Sequence, residues 1–231
     1  GGEGDWLPTS IPDCYGYGIG RRTDGHNLVA DAIDAGYEYG CTPATFAGLT
    51  PGYHRFIGLF AFGQMGWPYN PTLAAMTDTA LDSLSTDPEG FFLMVEGSQI
   101  DLAAHANNGM KVIDDVKTFD DAVQVAVDFA TTNPDTLLIV VADHETGGLS
   151  LLRPESSCST GEGPFPIYGS LETFCTDFST ENHTNADVPL TAKGPDSGYL
   201  SGTHENTEIF ITMFRYLHSF YFAYLPALLR Q

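Results

Sequence analysis

An α/β fold built on a parallel sheet is what this sequence predicts, on three observations. Two runs, "GFFLMVEG" at 90–97 and "TLLIVVADH" at 136–144, are almost continuously apolar, as strands buried on both faces of a parallel sheet are. Between them "TFDDAVQVAVDFATTNPD" places apolar residues at 122, 123, 126, 127 and 130, a helical period, with Thr118 in the N-cap place and Asp121 in the capping-box place. Strand, crossover helix and strand make a right-handed βαβ unit. Both strands end in side chains able to hold a metal: Glu96 after the first, Asp143 and His144 after the second. Ligands of open α/β sheets bind beyond such strand ends.

The remaining elements follow in chain order. Asn27 to Ala35 reads as a helix that stops at Gly36, where a left-handed residue is readily accommodated. "YEYG" reads as a short strand and "HRFIGLFAFG" as a more buried one. "PTLAAMTDTALDSLS" reads as a helix, with Pro71 at its first position and apolar residues at Leu73, Met76, Ala80, Leu81 and Leu84. From Arg153 to about Ser201 the composition turns to Ser, Thr, Gly, Pro and acid, and residues 153–201 are expected to form an irregular excursion. After it "SGTHENTEIFITMF" sets His204 ahead of a β-type apolar run. The terminal "SFYFAYLPALL" is apolar but short and holds Pro226, so it is expected to pack rather than span a membrane. The opening "GGEGDW" has neither an initiator methionine nor a signal peptide and reads as processed or excised.

A chain of 231 residues, 42% of them hydrophobic, can bury a sizeable core, and one domain over 1–231 is the default. Its charge of -21 excludes nucleic acid and anionic membrane surfaces as partners. The same field repels an anionic substrate unless cations neutralise it locally. Of the four cysteines, none lies in a CxxC pair, which argues against a zinc ribbon or a thioredoxin-type site. Their even number in loop-like stretches points to disulfides and an oxidising compartment. The first choice is two local bridges, Cys14–Cys41 and Cys158–Cys175, though four cysteines allow three pairings and buried free thiols are the alternative. Asn182-His183-Thr184 fits the N-glycosylation sequon, which matters only in a eukaryotic secretory pathway.

Asp101 and His105 stand four apart in "SQIDLAAHA". On a helix both project from one face and can share a cation. A lone DxxxH is more often a surface ion pair, and "ADH" after a strand is often only a polar loop. Both patterns on one βαβ frame, with a hard oxygen ligand at Glu96, point instead to a site mixing zinc and magnesium chemistry.

These motifs resemble those of the alkaline phosphatases. "FFLMVEGSQIDLAAHANN", followed after a helix by "LLIVVADHETGG", is similar to the family's metal-binding half. "LFAFGQM", "PTLAAMTDTALDSLSTDPEG" and "DDAVQVAVDFA" carry the likeness in the same order, over roughly 24 to 150 and again around His204. The resemblance implies a three-layer α/β/α sandwich with a largely parallel central sheet, incomplete in this chain. It implies two zinc ions and one magnesium. Glu96 would bind magnesium; Asp101, His105 and His204 the first zinc; Asp143 and His144 the second. His204 is followed by Glu205 and Asn206, where the family has Thr or a small residue and then Gly.

The reaction implied is hydrolysis of phosphate monoesters by a homodimer in an extracellular, periplasmic or cell-surface setting. It also implies a serine nucleophile in a D-S-A-type motif, an upstream bridging aspartate and a phosphate-gripping arginine. None has a match here: Asp82-Ser83 and Asp196-Ser197 fall out of the family's order, and although Arg21 and Arg22 lie near the start, nothing matches the phosphate-gripping arginine. The chain is therefore expected to be a C-terminal portion that is inactive alone, is not a stable monomer, and needs an N-terminal portion as partner. The alternatives are a phosphodiesterase or sulfatase on the same metal frame, or a non-catalytic metal-binding structural homologue.

Overall fold

The computed structural model describes residues 2–16, 18–49, 52, 55–153, 158 and 161–228, with side chains described up to 218. Two compact units divide the chain, one ending at Val95 and the other beginning at Glu96.

In the first unit a short helix α1 (Glu3–Trp6) precedes α2 (Leu28–Asp34). Asn27 caps α2 by accepting the Ala30 amide at 3.1 Å, satisfying one of the donors a helix start leaves open. Strand β1 (Glu38–Gly40) runs parallel to β2 (Phe56–Gly58), with α3 (Pro43–Ala47) in the crossover between them. The two predicted strands are therefore present, and paired as a parallel connection demands. Leu7, Val29 and Leu59 form the core, with Trp6, Tyr39 and Ile57 packed on it. The bridge Cys14–Cys41 ties the loop after α1 to the end of β1, its Cα atoms 6.2 Å apart. Beside it Glu3 is almost wholly buried yet satisfied: it accepts from the Cys14 amide at 3.0 Å and from the Tyr39 hydroxyl. Burial, then the Glu3 carboxylate, pushes the Tyr39 phenol far above its ordinary range. Helix α4 (Leu73–Leu84) is capped by Thr72, whose hydroxyl accepts the Ala75 amide at 3.1 Å. Pro71 thus lies before the cap, not at the first helical position.

The second unit opens with α5 (Gln99–His105) and α6 (Gly109–Thr132), whose contact buries Ala103, Ala104 and Val112. Thr118 is not a cap. Helix α6 begins nine residues earlier, after Asn108, whose side chain accepts the Lys111 amide at 2.9 Å. The Thr118 hydroxyl donates instead to the Asp114 carbonyl one turn back, at 3.0 Å, the other bond open to a threonine in a helix.

Among the described residues, five of the seven strands that follow pair antiparallel in two groups. β3 (Leu138–Val141) pairs with β9 (Leu190–Lys193). β5 (Ser150–Leu152), β7 (Thr173–Asp177) and β6 (Glu162–Pro166) form a three-stranded sheet in that order. The other two, β4 (Glu145–Thr146) and β8 (His183–Thr184), form a two-residue ladder. The stretch 153–201, expected to be irregular, thus holds four short strands and a 3-10 turn at Ser197–Leu200. The Cys158–Cys175 bridge, Cα atoms 5.6 Å apart, joins it to the centre of β7.

Two elements depart from the sequence reading. The run 91–97 forms no strand and has no ladder partner among the described residues. Phe92 and Met94 stand 60% and 74% exposed, and β3 finds its partner in antiparallel β9, so no ladder closes the expected βαβ unit. The second departure is "TEIFITMF", which is helical, within α7 (Asn206–Leu228). Its β-branched and aromatic content reads as strand, but burial recurs at 209, 212, 213 and 216, the helical period. The Tyr216 hydroxyl donates to the Asp135 carbonyl, fixing α7 against the α6–β3 connection. Among the described residues no helix is long and apolar enough to cross a membrane.

Candidate metal centre

Three segments far apart in sequence deliver the site. Helix α5 presents Asp101 and His105 one turn apart, with Asp101 Oδ1 3.4 Å from His105 Nε2. Strand β8 brings in His183, whose Nε2 lies 3.3 Å from the same Asp101 oxygen and 3.0 Å from His105 Nε2. The chain leaving β3 supplies His144, whose ring stacks on His183 with centroids 3.6 Å apart. Asp143 is exposed, its Oδ2 3.2 Å from His144 Nε2.

Proton positions follow from the partners. His105 Nδ1 faces the Glu181 carbonyl at 2.5 Å; a carbonyl only accepts, so Nδ1 carries the proton and Nε2 keeps its lone pair. The Thr146 hydroxyl donates its one proton to Asp101 Oδ1 at 2.6 Å. Toward His144 Nδ1, 3.2 Å away, it then acts as acceptor, which leaves the His144 Nε2 lone pair free beside Asp143. A carboxylate oxygen and two imidazole nitrogens within 4.8 Å of one another are electron-rich atoms that repel unless a proton or cation lies among them. One carboxylate with two histidines is a zinc-type donor set, and the carbonyl behind His105 is the outer partner such ligands use.

The turn after His144 is built by Glu145 and two glycines. Gly147 and Gly148 have φ of 87° and 57°. Both lie in the left-handed region that favours glycine, and a Cβ on Gly148 would force the Ser179 hydroxyl, 2.0 Å away, to turn aside. The Glu145 carboxylate accepts from the Gly148 amide at 3.2 Å, the Leu149 amide at 3.0 Å and the Thr184 hydroxyl. These bonds, the Thr184 hydroxyl first, hold its pKa below the ordinary glutamate value.

Not every expected ligand joins. Glu96 is exposed and outside the cluster. His204 is elsewhere: its Nδ1 pairs with the Glu208 carboxylate at 2.5 Å and its Nε2 with the Ser201 carbonyl at 3.0 Å. Both ring nitrogens are thus engaged by acceptors that lie apart from Asp101, His105 and His183. The place expected for His204 beside Asp101 and His105 is taken by His183, which the sequence presents inside a glycosylation sequon. The signal that could have found it is Thr184, which fits the Thr-or-small place of the pattern the resemblance implies, although Asn185 stands where that pattern has Gly.

Glu208 first, then the Ser201 carbonyl, raises the His204 pKa above 6.5. A raised folded value means the pair's contribution is fully present below the unfolded pKa and lost as pH rises through the folded one. Proton NMR should find the His204 midpoint above the ordinary value, and Glu208→Gln should bring it back. A wild-type midpoint unmoved from 6.5 would sink this account.

The alkaline phosphatase family model matches residues 1–162. Alkaline phosphatase 3 of Bacillus subtilis is 28% identical over 83% of this chain and 54% of its own length. Alkaline phosphatase H of Pseudomonas aeruginosa is 33% identical over 78% of this chain and 39% of its own. Among solved structures, the alkaline phosphatase of the Antarctic bacterium TAB5 superposes with a TM-score of 0.72 at 32% identity, over 85% of this chain and 56% of that one. A TAB5 mutant with magnesium bound in its M3 site gives 0.70 at the same identity and coverage. The chain spans about 39 to 56% of the length of these relatives. By its matched residues, its α/β architecture and its solved neighbours, this chain belongs to the alkaline phosphatase family.

Proposed function

We propose that the chain supplies the metal-binding portion of a phosphate monoester hydrolase. Asp101, His105 and His183 would hold the first zinc, Asp143 and His144 the second, and Glu96 a magnesium ion. The observation that carries this reading is the convergence of the Asp101, His105 and His183 ligand atoms within 4.8 Å.

When bound, a zinc pair stabilises the attacking and leaving oxygens of an in-line phosphoryl transfer. The chain's own residues do the rest of what these 231 positions provide. The Glu181 carbonyl and the Thr146 hydroxyl fix the proton positions of His105 and His144. Asp101, His105 and His183 remain about one-third to one-half exposed, open to a substrate of several ångströms. Bound cations would relieve the repulsion between a phosphate dianion and a chain of charge -21. The serine nucleophile and the phosphate-gripping arginine belong, in this reading, to an N-terminal portion outside these residues, with the complete subunits forming homodimers. The two disulfides support an extracellular or periplasmic setting.

The test is phosphatase turnover of the intact protein before and after a chelator. Activity should fall to background and return with zinc plus magnesium, but not with magnesium alone. Full activity in the chelated protein would overturn the reading.

A further inference from the structure

We propose that Glu145 and Thr184 form a register latch that positions His183, an inference that rests on the metal reading above. The ladder between β4 and β8 is only two residues long: Glu145 faces Thr184, and Thr146 faces His183. Residues opposite one another share a face and neighbours along a strand alternate. One face therefore carries Thr146 and His183, which meet Asp101, His105 and His144. The other carries Glu145 and Thr184, which bond to each other. A one-residue slip would send His183 to the face away from Asp101, and a ladder polar on both faces, as this one is, holds register weakly.

The latch supplies what the ladder lacks. Glu145 is itself fixed by the Gly148 and Leu149 amides, so it is anchored in the turn that follows His144. From there its carboxylate reaches across 39 positions of sequence to the residue after His183. The neighbouring backbone is tied the same way, with the Gly147 amide donating to the Asn182 carbonyl at 3.0 Å. Neither Glu145 nor Thr184 is a ligand in the proposed centre; both act through His183.

The variants are Thr184→Val, which keeps the shape and loses the hydroxyl, Thr184→Ser, which keeps the hydroxyl, and Glu145→Gln. The glutamine sets an N–H donor where backbone N–H or hydroxyl donors now point. In the intact protein, zinc affinity read by competition with a chromogenic chelator should fall about 10- to 100-fold in Thr184→Val and Glu145→Gln. Thr184→Ser should stay within about threefold, and the Glu145→Gln/Thr184→Val pair should be no worse than the weaker single variant. Hydrogen exchange on metal-free protein gives a second readout: the Gly147 amide should exchange about tenfold faster in the valine and glutamine variants and at the wild-type rate in the serine variant. Should the wild type take up no zinc, the metal reading falls and the Gly147 amide alone decides the latch. Equal protection of that amide in all variants, or wild-type zinc affinity in Thr184→Val, overturns it.

Discussion

His183→Ala should weaken zinc binding about 100-fold or more, while His204→Ala should leave it within about twofold. Structural zinc sites with four ligands bind with roughly 10–16 kcal/mol, about 3 kcal/mol per ligand, and 2.7 kcal/mol is already a factor of 100. The second figure is the effect of a surface substitution away from the site, about 0.5 kcal/mol. The contrast arises from geometry: His183 Nε2 stands 3.3 Å from Asp101 and 3.0 Å from His105 Nε2. His204 spends both nitrogens on Glu208 and Ser201. Equilibrium dialysis against labelled zinc on the two variants settles it. The reverse order would return His204 to the ligand set, and equal losses would mean that neither assignment stands.

Removing either disulfide should cost about 3 to 4 kcal/mol of stability. Loop-closure entropy for the 27-residue separation of Cys14–Cys41 gives about 3.6 kcal/mol, and for the 17 of Cys158–Cys175 about 3.1. Alanine is the replacement of choice, because Cys41 and Cys175 are buried and a serine hydroxyl there would add its own desolvation cost. The two losses are separable. Both tryptophans, Trp6 and Trp67, lie in the first unit, so fluorescence-detected urea unfolding should shift most for the Cys14/Cys41 pair. Far-ultraviolet circular dichroism should register both. A shift below about 1 kcal/mol for either pair would contradict the loop-entropy account.

What the sequence made legible was local. Asn27 and the periodic run behind it announced α2, and the DxxxH of α5 put Asp101 and His105 on one face before any coordinates. "TLLIVVADH" carried its strand, β3, and the two bridges formed between the cysteine pairs nearest in sequence. What stayed hidden depends on partners. β8 is two residues with no apolar alternation, and it exists because β4 lies opposite. His183 therefore looked like the middle of a polar loop. "TEIFITMF" has strand-like composition, but β-propensity mostly records a pleated neighbour to pack on, and here the neighbours bury one helical stripe. The run at 91–97 failed in the opposite way: its composition is that of a central strand, yet among the described residues no strand flanks it.

The span between His105 and His183, 78 positions, makes this site a late event in folding. A nascent chain exposes the helical pair Asp101 and His105 long before the third ligand has been synthesised. A cation held by that pair alone is weakly bound, and the entropy of closing so long a loop opposes recruiting the rest. Tight capture should therefore coincide with the docking of β8. Metal uptake followed in time would then be a clock for that long-range contact, not merely an assay of the finished protein.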